Sequence, residues 1–374
     1  MQDIKVGYTR ISFAEKRNFL QLPFTRVRFK RCYDRYTLKR KLMQTRQGTN
    51  WYVQNTHKPL FIQDNVDMYH FFNTISYTKK PYITTFETLI PRWQKHIAKG
   101  ISLLGKENML QLVAISHNAK AIQTDFLKRE YPEYDNVLHK LSVIAPAQKT
   151  YVTENDVVRK NQSVQKMHFV IAGHLFFLKG GLEVLQSFDY LLKNDYPVKL
   201  SIVSQLQPDS QVTKSNQADL ATATSIIHAH NDIQWYKSLS NHEVIHLLKK
   251  AQVALLPSYA DTYGYFALEA QACGCPVITT NIRALDEINN EHAGWIIKLE
   301  KNKLGYAVLN TDAELKNARH AVRQALIATI ENLVNSPGDV TNKGLRALQK
   351  IKTDHDPVEQ ANKYYKLYKS ACND

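Results

Sequence analysis

Residues 255–269 read LLPSYADTYGYFALE, and residues 270–280 continue as AQACGCPVITT. The apolar run Val253 to Leu256 predicts a buried strand that stops at Pro257-Ser258. A short polar loop follows and carries one acid, Asp261. A helix then starts near Tyr263-Gly264-Tyr265 and carries a second acid, Glu269. A helix start leaves backbone N–H groups unpaired and concentrates partial positive charge, so it suits a phosphate. Acids on either side of it suit the hydroxyls of a sugar and of a ribose.

Working outward, the second half repeats strand and helix. Strands are predicted at Met167 to Ala172, Val198 to Val203 and Pro276 to Thr280, with helices at Gly181 to Lys193, near Asn241 to Lys250, and at Tyr265 to Cys273. This alternation predicts a parallel, doubly wound sheet. The first half predicts strands at Asp3 to Tyr8, Leu60 to Gln63, Tyr82 to Thr85 and within Glu107 to His117. Ser116 is placed to cap a helix from Asn118 to about Lys128, and Ser142 to Gln148 reads as an exit strand. The polar stretch that follows reads as a linker. A last segment, Pro357 to Ala371, predicts an amphipathic helix with Tyr364, Tyr365, Leu367 and Tyr368 clustered.

The chain has 374 residues, enough for two domains, and 44% apolar content, which is ordinary for a globular protein. No apolar run reaches the roughly 20 residues of a membrane span, and MQDIKVGYTR does not read as a signal peptide. Cys32, Cys273, Cys275 and Cys372 show no framework spacing; packing suits Cys273 and Cys275 better than metal, and a reducing compartment fits. The net charge is +15, and residues 26–46 (RVRFKRCYDRYTLKRKLMQTR) hold much of it, with Asp34 as their only acid. Three readings stand for that stretch: a solvated helix face, attraction to an anionic membrane or lipid phosphate, and nucleic-acid contact.

The layout around Asp261 and Glu269 resembles the donor site of retaining glycosyltransferases of the GT-B fold, glycosyltransferase family 4 (glycosyl transferases group 1). That pattern is an acid, seven residues, then Glu, a small-residue helix and a Gly-x-Pro-Val strand, here Gly274-Cys275-Pro276-Val277. The resemblance implies an α/β fold of two Rossmann-like doubly wound domains facing across a cleft. Residues 1–150 would be the acceptor-side domain, 151–166 the linker, 167–352 the nucleotide-sugar domain, and 353–374 a C-terminal helix packing back on the first domain.

The resemblance also implies roles. Positive groups must meet the charge that grows on a departing diphosphate. Gly173-His174-Leu175-Phe176-Phe177-Leu178-Lys179-Gly180 matches a Gly-Arg-Leu, three residues, Lys-Gly pattern, with His174 replacing the Arg. Lys179 is the expected ammonium partner of the phosphates, and His174 a weaker one. The backbone at Tyr263, Gly264 and Tyr265 supplies N–H donors. Asp261, where the family commonly has Glu, binds the transferred sugar, and Glu269 binds the ribose. The base lies near Trp235 and Tyr236, although Trp235 reads equally as core. Glu87 stands where the family often has a His touching the sugar; it reads equally as an ion-pair partner of Arg92. His70 reads better as core or surface than as cleft.

Other motifs carry less. His242-Glu243-Val244-Ile245-His246 has zinc-peptidase spacing without an evident third ligand. Asp354-His355-Asp356 is an Asp-x-Asp in a polar turn. No Walker loop is present: Leu178-Lys179-Gly180-Gly181 lacks its order. The expectation is a metal-independent hexosyltransferase with no cofactor, whose donor is a nucleotide diphosphate sugar. Its acceptor is a glycan or lipid-linked acceptor in cell-envelope polysaccharide synthesis. It is placed in the cytoplasm, peripheral on the inner membrane face, with no nucleic acid expected. The alternatives are a nucleic-acid or protein acceptor on the same fold, and an inactive nucleotide-sugar binder.

Overall fold

The computed structural model describes residues 3–43, 50–60, 64–162 and 164–372. It divides into two units: residues 1–147 with 355–374, and residues 148–354.

The first unit is built on six parallel strands: β1 (Ile4–Tyr8), β2 (Val27–Arg31), β3 (Met68–Phe72), β4 (Tyr82–Phe86), β5 (Met109–Ala114) and β6 (Leu141–Val143). Their order across the sheet is β2-β1-β3-β4-β5-β6. Every residue of β3 and β4 is buried, as parallel strands covered on both faces require. Ser116 does cap the helix after β5: α1 (His117–Glu130) begins with its hydroxyl accepting from Ala119 N at 2.9 Å. The expected strand at Leu60 to Gln63 falls largely on residues outside those described. Beside β1 the sheet carries β3, an all-buried MYHFF run. The basic stretch is not one helix. It forms β2 at the sheet edge, then a helix at Thr37–Met43, with residues 44–46 outside those described. Arg40 turns inward, pairs with buried Asp34 and donates to the carbonyls of Val53 and Thr56.

The second unit opens with α2 (Glu154–Lys160), a helix inside the stretch read as a linker. A capping box at Thr153 and Asp156 starts it, and Val157 buries its inner face. Few apolar residues are needed because one buried valine meets Gly274 and Gly344. The unit continues β7 (Met167–Ala172), α3 (Gly181–Lys193), β8 (Val198–Val203), α4 (Gln217–Ala229), β9 (Ile233–Tyr236), α5 (Asn241–Lys250), β10 (Val253–Leu256), α6 (Tyr265–Ala272), β11 (Val277–Thr280), β12 (Gly294–Ile297), α7 (Asp312–Asn335) and α8 (Pro337–Asp354). The sheet order is β9-β8-β7-β10-β11-β12, all parallel. This is the dinucleotide-fold order, and it reverses between β7 and β10. Cys273 and Cys275 are buried behind α6, and burial pushes their thiols up to about 12 and about 11.

The last helix, α9 (Pro357–Ser370), belongs to the first unit. Tyr364 and Tyr368 sit in its core with Val6, Met68, Ile83 and Val113. His70 is a core residue. Its Nδ1 lies 2.7 Å from the Tyr368 hydroxyl and its Nε2 lies 2.8 Å from Thr85 Oγ1, with Phe19 stacked on the ring. Burial holds its pKa well below the ordinary histidine value. Asp356 caps α9, accepting from the backbone N–H groups of Val358 and Glu359, and His355 Nδ1 bonds Pro146 O, so the Asp-x-Asp segment is a capping turn.

Candidate donor site and acceptor-side pocket

The reversal of strand order sets the carboxyl ends of β7 and β10 side by side, where open α/β sheets bind ligands. The loop after β7 carries Gly173, His174 and Lys179; the loop after β10 carries Asp261, Tyr263 and Gly264. Ser258 and Tyr259 stitch the two loops together. Tyr259 N donates to Leu178 O at 2.9 Å, and Ser258 Oγ donates to Leu178 O at 3.2 Å.

That stitching brings Lys179 Nζ onto the Asp261 carboxylate, both side chains largely shielded from solvent. The other Asp261 oxygen accepts from Tyr263 N at 3.3 Å, which orients the acid at the start of α6. Gly180 and Gly264 are both left-handed caps, at φ 74° and 93°. A Cβ on Gly180 would lie 2.3 Å from Pro257 O, and one on Gly264 would lie 2.6 Å from Leu285 Cδ2. Only glycine permits these conformations at that spacing. His174 is exposed on the same loop.

Glu269 is buried on α6 and accepts from Asn241 Nδ2 at 3.2 Å. The Tyr263 and Tyr265 rings pack together at 5.3 Å. Trp235 is 38% exposed, so it is not core; its indole N–H donates to Ser204 O at 2.8 Å. That bond ties β9 to the end of β8, with Tyr236 beside it in register with Val203.

A network that sequence reading missed lies beneath the Lys179 loop. Glu183, in the first turn of α3, is buried, with Arg319 Nε at 3.4 Å from its carboxylate and Tyr259 against it. Burial pushes Glu183 up to about 7, opposed by its backbone hydrogen bond and by Arg319. Arg319 also donates to Thr213 O at 2.9 Å. An acid in an otherwise apolar GLEVL turn was the available signal.

The first unit holds its own pocket of about 290 Å³ at the carboxyl ends of β1, β3 and β4. Arg10, Trp51, Asn73, Glu87 and Arg92 line it. Glu87 is the ion-pair partner of Arg92, whose guanidinium lies 5.2 Å from the Trp51 ring centroid. Asn73 holds Glu87 from both sides, donating to its carboxylate at 3.2 Å and accepting from its backbone N–H at 3.3 Å. Arg10 donates to Gln54 O at 2.9 Å; burial lowers its pKa, Glu15 raises it, and Arg40 and Arg92 lower it further. Arg10 and Asn73 were not singled out in the sequence, because each follows a strand without a motif around it.

His242 and His246 lie exposed on α5, and among the described residues no group of three metal-ligating side chains assembles. No helix among the described residues is long and apolar enough to cross a membrane.

Residues 153–310 match the family described as glycosyl transferases group 1. The chain is 26% identical over 157 residues to the capsular polysaccharide biosynthesis glycosyltransferase CapM of Staphylococcus aureus, covering 40% of this chain and 38% of CapM. It is 26% identical over 178 residues to D-inositol 3-phosphate glycosyltransferase of Paenarthrobacter aurescens, covering 44% of this chain and 41% of that protein. The chain thus spans about two-fifths of the length of these curated relatives. Among solved structures, Anabaena Alr3699/HepE in complex with UDP-glucose superposes with a TM-score of 0.61 at 11% identity, over 98% of this chain and 100% of that one. Such a likeness speaks to the fold, which is GT-B, two Rossmann-like units. The matched segment, residues 153–310, contains Asp261 and Glu269 and is similar to glycosyl transferases group 1.

Proposed function

We propose that this protein is a retaining, metal-independent hexosyltransferase that uses a nucleoside diphosphate sugar as donor. The observation that carries this reading is the meeting of Lys179 and Asp261 at the switch point of the second unit, beside the start of α6. On binding, the Lys179 ammonium and the N–H groups around Tyr263, Gly264 and Tyr265 take the diphosphate. Asp261 turns to the sugar hydroxyls, and Glu269 takes the ribose. His174 adds one donor from the loop rim, and Gly173 lets the chain turn there. Trp235 and Tyr236 flank the base. Fixed cationic and dipolar groups stabilise the leaving diphosphate in the role a metal fills elsewhere.

The pocket of the first unit suits an acceptor sugar. It offers the Trp51 wall, the Asn73 amide and two arginines balanced by Glu15 and Glu87. Glu87, held by Asn73 and Arg92, is set to accept sugar hydroxyl bonds. A glycan or lipid-linked acceptor in cell-envelope polysaccharide synthesis is consistent with the CapM relative. Exposed Leu38 and Leu42 on the Thr37–Met43 helix stand among Lys39, Lys41 and the basic edge strand β2. This supports peripheral contact with an anionic membrane surface on the cytoplasmic side.

Release of nucleotide from a panel of uridine, guanosine and adenosine diphosphate sugars, with lipid-linked acceptors in detergent, tests the reading. Turnover of one donor with retained anomeric configuration is the expected result. Tight nucleotide binding without turnover of any donor would leave an inactive binder instead.

A further inference from the structure

A second basic site lies on the far side of Asn241 from Glu269. Asn241, His242, Ile245, His246 and Lys249 form one stripe along α5, at the i, i+4, i+8 spacing of a helix face. The strap at Lys149 and Tyr151 runs opposite, held by Tyr151 N donating to Ala272 O at 2.8 Å. Together they enclose a groove of about 340 Å³.

The lining holds two lysines and two histidines and no acid. Lys149 lies 5.6 Å from the centroid of the Tyr151 ring, and neither Lys149 nor Lys249 makes an ion pair among the described residues. Three acids stand near the groove without lining it: Asp156, bonded to the Thr153 cap, acts through space on Lys249; Glu243, bonded to the Ser240 cap, acts on His242; and Glu269 accepts from Asn241. Two lysines in a lining that itself holds no acid attract an anion. Its donors are lysine point charges and imidazole N–H groups, and lysine binds phosphate as a point charge whose rotatable N–H donors can follow several oxygens.

We propose that this groove binds a phosphate-bearing anion, at a site separate from the donor diphosphate grip at Lys179. The two sites share a wall, because Asn241 lines the groove and donates to Glu269.

The test uses the full chain and inorganic pyrophosphate. His242→Gln and His246→Gln variants assign the two imidazole C2–H proton resonances. Pyrophosphate is expected to shift both, in the wild type and in Lys179→Ala alike, and calorimetry is expected to show at least tenfold weaker binding in the double variant Lys149→Gln/Lys249→Gln. These lysines are exposed, so the double variant should melt as the wild type does. Unmoved histidine resonances, or undiminished binding in the double variant, would overturn the site. Citrate acting as strongly as pyrophosphate at equal ionic strength would overturn the phosphate class. Vesicles of phosphatidylcholine with phosphatidic acid separate the sources: displacement of pyrophosphate from the histidines assigns a lipid phosphate, and its retention assigns a free phosphate ester. Because the readout survives loss of Lys179, failure here is distinct from failure of the donor site.

Discussion

Lys179 and Asp261, 82 positions apart in the chain, are each other's counter-ion at the candidate donor site. The pair keeps both charges satisfied in a partly shielded place until a ligand offers better partners. In the proposed function, donor binding separates them, giving the ammonium to phosphate and the carboxylate to sugar hydroxyls.

Asp261→Asn therefore splits two affinities. Free nucleoside diphosphate should bind several-fold tighter, since the Lys179 ammonium no longer shares its charge. Turnover of the nucleotide sugar should fall, because the sugar loses its acceptor. Calorimetry with diphosphate, set beside donor kinetics, checks both signs. Lys179→Ala should lower kcat/KM by roughly 2–4 kcal/mol of transition-state stabilisation, as removal of a charged partner does.

Glu269→Gln tests the ribose assignment. The wild type should prefer ribonucleotide over 2′-deoxyribonucleotide by about 1.5–3 kcal/mol, the range for hydrogen bonds to a charged group. The variant should lose most of that preference. Equal preference in both proteins would remove Glu269 from the site.

Glu183 makes stability depend on pH in a defined direction. Its carboxyl rises from 4.5 to about 7 in the folded protein, chiefly through burial. Between those values the native state holds more protons than the unfolded state, so this group's contribution is complete below pH 4.5 and is lost as pH climbs through about 7. Glu183→Gln should therefore gain in Tm relative to wild type between pH 5 and pH 8. A Tm difference that stays flat across that range would contradict the assignment.

Gly180→Ala places a methyl against Pro257 O in a left-handed backbone. The conformation alone costs about 1–3 kcal/mol, and the clash adds to it. Urea unfolding should show a lower midpoint. Donor affinity should fall as well, since Lys179 is the neighbouring residue.

Much of this architecture was legible because its signals are local. MHFVIA and VALL read as buried parallel strands because they are nearly continuous apolar runs, interrupted only by His168. Ser116 read as a cap because a hydroxyl before a helix has one nearby partner to find. Asp261, Gly264 and Glu269 stood out because their spacing follows one turn and one helix. The 151–166 stretch misled, because a helix held by one buried valine leaves little apolar pattern. The basic stretch misled for a similar reason: charge says nothing about whether an edge strand or a helix carries it.

The amino-acid sequence by itself determined the strands β7, β8, β10 and β11, the cap at Ser116, and which side chains follow the ends of β7 and β10. Only the tertiary structure decided that β7 and β10 are neighbours, that Lys179 meets Asp261, that Glu183 lies between Tyr259 and Arg319, and that Arg10 shares a pocket with Arg92. Propensity and capping act over a few residues, whereas the order of strands in a sheet comes from the packing of the whole chain, and charges distant in sequence meet only once that order is set.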